Sequence, residues 1–239
     1  MTPADGMPIM SQMTNPFEGI RAALFDLDGT LVETNIDFGL MKREMLALGE
    51  KHGIPACEMQ GLDILSIVDF IVARLMESSR VDEAEQAKQE AFEKLEQIEL
   101  AHCRDARPVS GAVALLDALR EARIKIAIIT RSCTSAVRLS TAGSGISWDV
   151  LLTRDDVSSA KPHPEHLLRA LDMLGVRPEE AIMVGDHWMD VQGGKSAGTR
   201  TVGFLSAAAD PDDFFDRVKP DLVIRSLGEL IEHVERLKK

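Results

Sequence analysis

Short apolar runs recur along this chain, each bounded by glycine or polar residues. The runs at 22–25 (Ala22, Ala23, Leu24, Phe25), 124–129, 150–152, 181–184, 201–204 and 222–224 read as buried strands. Between them, apolar residues return at three- and four-residue steps, the period of a helix. After the first run the pattern predicts a helix over 37–52, stopped at Gly53 ahead of Ile54-Pro55. A second helix is predicted over 59–78. It is apolar on most sides, with a narrow polar stripe (Asp63, Ser66, Asp69), which implies burial against neighbours, a pocket wall or a dimer interface. A third runs from Val81 to Arg104, its Glu and Lys residues forming a solvated face. From Pro108 the rhythm changes to helix then strand, with helices ending at Ala122, around 134–142, ending at Gly175, and from Leu227. Such alternation predicts an α/β fold: a Rossmann-like parallel sheet with helices on both faces. The all-helical stretch 33–107 is inserted directly after the first strand. The expected organisation is therefore a loose arm over 1–19, a core made of 20–32 and 108–239, and a helical insertion over 33–107.

The polar residues that carry chemistry follow strand ends. Asp26 and Asp28 follow the first strand within Asp26-Leu27-Asp28-Gly29-Thr30, and Thr130 follows the second. Lys161 comes in the loop after the third, and Asp186 and Asp190 follow the fourth. In a parallel sheet these ends share one edge, where ligands bind. Two carboxylates as close as Asp26 and Asp28 repel unless a cation separates them or one keeps a proton. That suits an aspartyl nucleophile with Mg²⁺ beside it and a second Asp as acid and base. Taken singly, each residue has a plainer reading: Thr130 a strand-end hydroxyl, Lys161 a surface lysine, Asp186 a helix cap, Asp190 a helix-surface acid. Together they form one set: carboxylates for a metal and a nucleophile, a hydroxyl and an ammonium for phosphoryl oxygens, and backbone N–H groups near Gly29 for the same anion.

Four motifs in this order, Asp26-Leu27-Asp28-Gly29-Thr30, Thr130, Lys161-Pro162, and Gly185-Asp186 with Asp190, resemble the haloacid dehalogenase-like superfamily. The resemblance runs from about Gly19 to the C-terminus, on the branch with a helical cap inserted after the first strand. It implies that Asp26 attacks phosphorus and becomes an aspartyl phosphate. Asp28 would protonate the leaving alcohol and then activate water. Mg²⁺ would be held by the side chains of Asp26 and Asp186 and the backbone carbonyl of Asp28. Asp190 would order a metal-bound water or hold Lys161. Thr130 and Lys161 would bind phosphoryl oxygens, with Gly29 and Arg131 beside them. The Lys161-Pro162-His163-Pro164 run and the cap size are similar to the phosphoglycolate phosphatase group. The implied activity is Mg²⁺-dependent hydrolysis of a small phosphomonoester, with the cap closing over the substrate. The alternatives are a phosphomutase of the β-phosphoglucomutase type and, in another class, a non-catalytic binding protein on the same fold. The chain departs from the family at Arg131, where relatives often carry Asn or a small residue. It departs again at Glu33-Thr34-Asn35; both bear on substrate selection.

Charge narrows the partners. Among 239 residues, 39 are acidic and 27 basic, a net charge of −12, which argues against nucleic acid and acidic membranes. The expected partner is a small phosphorylated metabolite, bound by a monomer or homodimer. Cys57, Cys103 and Cys133 form no metal-ligand spacing and read as reduced thiols of a cytoplasmic protein. The start of the chain lacks the pattern of a signal peptide, and no run is long enough to span a membrane. Gly194-Lys195-Ser196 ends like a nucleotide-binding loop, but Met189 stands where its first glycine is needed. His163, His166 and His187 receive no catalytic role.

Overall fold

In the computed structural model, residues 15–205 and 218–238 are described. The chain divides into two compact units, one of 1–32, 108–131 and 145–239, the other of 33–107 and 132–144.

The first unit is built on a six-stranded parallel sheet. Its strands are β1 (Ala22–Phe25), β4 (Lys125–Ile129), β5 (Val150–Leu152), β6 (Ala181–Gly185), β7 (Arg200–Phe204) and β8 (Leu222–Ile224), in the order β5-β4-β1-β6-β7-β8. The two-residue strands β2 (Val32–Glu33) and β3 (Arg107–Pro108) pair separately, where the chain passes into and out of the insertion. The order reverses at β1, which pairs with β4 on one side and β6 on the other. Phe25 lies level with both Ile128 and Val184. That reversal is the crevice position for ligands in open α/β sheets.

Helices cover both faces. Ala22, Leu24, Ala127, Ile129 and Met183 point to one side and pack against Leu167, Ala170 and Leu171 of α6 (Glu165–Leu174) and Ala197 of α7 (Trp188–Ala197). The alternate positions Ala23, Phe25, Ile126, Ile128, Ile182 and Val184 are buried too, and α4 (Ala112–Glu121) packs against β4 and against α8 (Leu227–Glu235). Burial on both sides is why these strands are continuous apolar runs without alternation.

The expected loose arm is partly a packed segment. Residues 1–14 of it lie outside the described residues. In the remainder, Phe17 is fully buried, Asn15 donates to the His233 carbonyl (2.7 Å), and Arg200 donates to the Pro16 carbonyl (2.8 Å). Phe17→Ala therefore costs about 3 kcal/mol of stability, read from urea unfolding. A loss below about 1 kcal/mol contradicts the burial of this side chain.

The second unit is helical: α1 (Phe38–Lys51), α2 (Ile64–Glu77), α3 (Val81–His102) and α5 (Thr134–Thr141). Ile67, Val68, Ile71 and Leu75 of α2 meet Met41, Met45 and Leu48 of α1 and Ala84, Ala87, Ala91 and Leu95 of α3 in one core. The apolar breadth of α2 is thus used within the unit. α2 starts five residues later than periodicity predicts, because Asp63 caps it, accepting from the Ser66 N–H and hydroxyl. α5, placed with the core by sequence order, joins this unit instead. The carboxylate of Glu99, buried on α3, accepts from the Cys133 N–H at the start of α5 (3.2 Å).

Candidate active site

Asp26, Asp28, Thr130 and Asp186 stand just past strand ends of the first unit, with Lys161 in the loop after β5 and Asp190 in the first turn of α7. Asp26 leaves β1 with its N–H still donating to Val184 of β6 (2.9 Å), so its backbone is held at the crevice between β1 and β6. Lys161 is buried, and its ammonium donates to Asp26 Oδ1 (2.7 Å) and Asp190 Oδ1 (2.6 Å). Asp190 is also buried, and its second oxygen accepts from the His187 N–H (3.0 Å), closing the first turn of α7. Asp186 follows β6 and accepts from the buried Thr30 hydroxyl (3.1 Å). Carboxylate oxygens of Asp26, Asp186 and Asp190 lie within 4.8 Å of one another.

Two glycines allow this crowding. Gly29 holds φ +84°, and a Cβ there would overlap the Asp186 carboxylate; a Cβ on Gly185 would overlap Asp190. The Gly29 N–H donates to the Val32 carbonyl (2.8 Å), so the residue supplies a turn and a close approach.

Thr130 and Asp28 meet across β4 and β1, the buried Thr130 hydroxyl donating to Asp28 Oδ2 at 3.4 Å. Arg131 turns its guanidinium to the Met189 sulfur, beside the first turn of α7.

The electrostatics follow from three clustered carboxylates with one ammonium, which binds two of them. Burial pushes the Asp26 carboxyl up to about 6; the charge of Lys161 opposes this and that of Asp190 adds to it. Asp186 is pushed well above the usual carboxylate range by burial, then by Asp26 and Asp190, against its hydrogen bond from Thr30. Burial pulls Lys161 down, but Asp190 and Asp26 outweigh it and keep the ammonium charged. The cluster is short of positive charge. A hard divalent cation fits it, since its donors are all carboxylate oxygens and two of them resist ionisation without one.

Sequence reasoning missed two buried groups here. Arg154, in the turn after β5, donates to the Arg131 carbonyl (3.1 Å) and so holds the loop that carries Thr130. Its signal was a strand-end position on the edge that bears the other polar residues. His166 is fully buried on α6. It shares the helical stripe of Leu167, Ala170, Leu171 and Leu174, a pattern visible in the sequence. The other two histidines behave as caps: His163 accepts from the Glu165 N–H and His187 from the Met189 N–H, both at 3.3 Å.

The fold and these strand-end carboxylates define a class. A family model for haloacid dehalogenase-like hydrolases matches residues 20–198, and the chain belongs to that family. Among curated relatives it is 31% identical over 217 residues to the pyrophosphatase PpaX of Halalkalibacterium halodurans, covering 90% of this chain and 97% of that one. PpaX of Bacillus cereus is 30% identical over 216 residues, covering 89% and 95%. A solved phosphatase of the same superfamily from Thermococcus onnurineus is 26% identical with a TM-score of 0.55, covering 89% and 97%. A structure described as a predicted phosphoglycolate phosphatase, from Haemophilus somnus, has a TM-score of 0.60 at 20% identity, covering 90% and 97%; that likeness concerns the fold. No helix among the described residues is long and apolar enough to cross a membrane.

Proposed function

We propose that this hydrolase cleaves a small phosphoric monoester by way of a phosphorylated Asp26. The observation that carries the proposal is the clamp on Asp26. Lys161 binds its Oδ1 while being anchored by Asp190, which leaves Oδ2 as the oxygen to attack phosphorus. As the Oδ2–phosphorus bond forms, the bond to the leaving oxygen breaks, and Asp28 gives that oxygen a proton. Asp28 then takes a proton from the water that attacks phospho-Asp26, releasing phosphate. Its contact with Thr130 holds it for both steps, and Thr130 and Lys161 lie on the same edge to receive phosphoryl oxygens. Arg131 adds a further cation at that edge. Asp26 and Asp186, with the Asp28 carbonyl and Asp190 beside them, would hold Mg²⁺. Bound there, the ion would offset the charge gathering on the phosphoryl oxygens. The insertion over 33–107 would act as the cap that selects the substrate.

A second substrate class, inorganic pyrophosphate, is supported by the names of the relatives that are 30–31% identical. The test is phosphate release from phosphoglycolate, sugar phosphates, nucleotides, an aryl phosphate and pyrophosphate, each with Mg²⁺ and with chelator. Mg²⁺-dependent release from an ester supports the proposal, and release from pyrophosphate alone supports the second class. Transfer between sugar positions without net release would point to a mutase. Mg²⁺ binding with no turnover would point to a binding protein.

Proton linkage gives an independent check on the ligands. The raised Asp26 value favours the protonated native state. Without Mg²⁺ its stabilisation is full below about 3.8, the ordinary carboxylate value, and is lost as pH rises through about 6. Mg²⁺ needs the ionised form, so its gain in melting temperature should be larger at pH 7.5 than at pH 5. An equal gain at both would remove Asp26 from the ligand set.

A further inference from the structure

We infer that His166 is a positioning residue that locks Lys161 and Thr130, the two groups proposed to receive the phosphoryl oxygens, into one rigid frame. The inference rests on the proposed phosphoryl site and concerns a residue that touches neither substrate nor metal.

The geometry is a short hydrogen-bond chain. The Lys161 backbone N–H donates to His166 Nδ1 (3.3 Å). His166 Nε2 lies 3.2 Å from the Leu152 carbonyl, at the end of β5. The same carbonyl accepts the Thr130 N–H, at the end of β4 (3.0 Å). A backbone N–H can only donate, so Nδ1 must accept; Nε2 therefore carries the proton and donates to Leu152. One imidazole thus ties the Lys161 loop to the carbonyl that also fixes Thr130.

The ring suits this task. It is fully buried, and α6 holds it among Leu167, Ala170 and Leu171, so it has little freedom to turn. It must also stay neutral, because a doubly protonated ring cannot accept from Lys161. Burial, then the neighbouring Lys161 charge, pull its pKa down to about 3, which keeps it neutral across the working range. Lys161 needs such support from its main chain. Its ammonium is fixed at the far end by two carboxylates, and a shift of the loop would pull it off Asp26 or off Asp190.

The test uses the full chain and inorganic phosphate as the probe, with binding measured by calorimetry beside turnover of the best ester. His166→Ala removes both hydrogen bonds and should weaken phosphate binding and lower kcat/KM about tenfold or more. His166→Asn returns an acceptor near Nδ1 and should recover part of both. It also keeps the inference testable if the alanine variant folds poorly. In a Lys161→Met background, His166→Ala should cost less than in the wild type, since the part of its effect that passes through the Lys161 ammonium is already gone. Wild-type phosphate affinity in a folded His166→Ala variant would overturn the inference, as would an equal loss in both backgrounds. A wild-type protein that binds phosphate but hydrolyses no ester would instead overturn the phosphatase reading, leaving the binding comparison to decide the role of His166.

Discussion

Asp26→Asn should abolish turnover, by at least about 10⁴-fold, while leaving the protein folded and more stable near neutral pH. Asparagine keeps the shape of the side chain but has no anionic oxygen to form a bond to phosphorus. The stability gain follows from the charge imbalance. Asp26 is pushed up to about 6, chiefly by burial, so holding it ionised at pH 7 costs the native state of order 3 kcal/mol in the absence of a divalent cation. The variant is spared that cost. Its advantage over the wild type should shrink toward pH 4, where wild-type Asp26 takes up its proton. Urea unfolding in chelator at pH 4 and pH 7 reads the difference. A variant less stable than the wild type at pH 7 would mean that the pairing with Lys161 outweighs burial at this position.

Lys161→Met should show the opposite thermodynamics. Methionine matches the length of lysine, but it leaves Asp26 and Asp190 buried without the ammonium that holds both. Breaking one side of such a buried cluster costs about 3–5 kcal/mol at neutral pH. The penalty should fall as pH drops and the carboxylates protonate. Added Mg²⁺ should recover part of it. Activity should fall by roughly 10²–10³-fold, as for loss of one charge-stabilising donor. Stability unchanged at pH 7.5 would mean that Lys161 is not the counter-charge of the cluster.

Much of the core was legible because its strands are short, doubly buried runs that end in conspicuous polar residues. Asp26, Thr130, Lys161 and Asp186 could be assigned to one edge from strand order alone, since parallel strands put all their carboxyl ends together. Three features were not legible, each for a physical reason. Residues 15–19 have the composition of an arm, yet one aromatic ring, Phe17, is fully buried and pins the segment down while Glu18 and Gly19 stay exposed. α5 lies in the core by sequence order but groups with the insertion, because Glu99, on what was read as the solvated face of α3, is buried and binds its first turn. His166 was the nearest miss. Its place on the apolar stripe of α6 was visible, but its partners are backbone atoms of Lys161 and Leu152, which only the fold brings to it.

The central claim is a covalent bond between phosphorus and Asp26. The most direct measurement mixes the protein with its best ester, labelled in the phosphoryl group, quenches in acid within one turnover and maps the label by mass spectrometry of peptides. Transient label on the peptide that carries Asp26, absent in Asp26→Asn and discharged by water on a longer delay, is the predicted result. Turnover at full rate with no label on the protein at any time, or label on another residue, would contradict it.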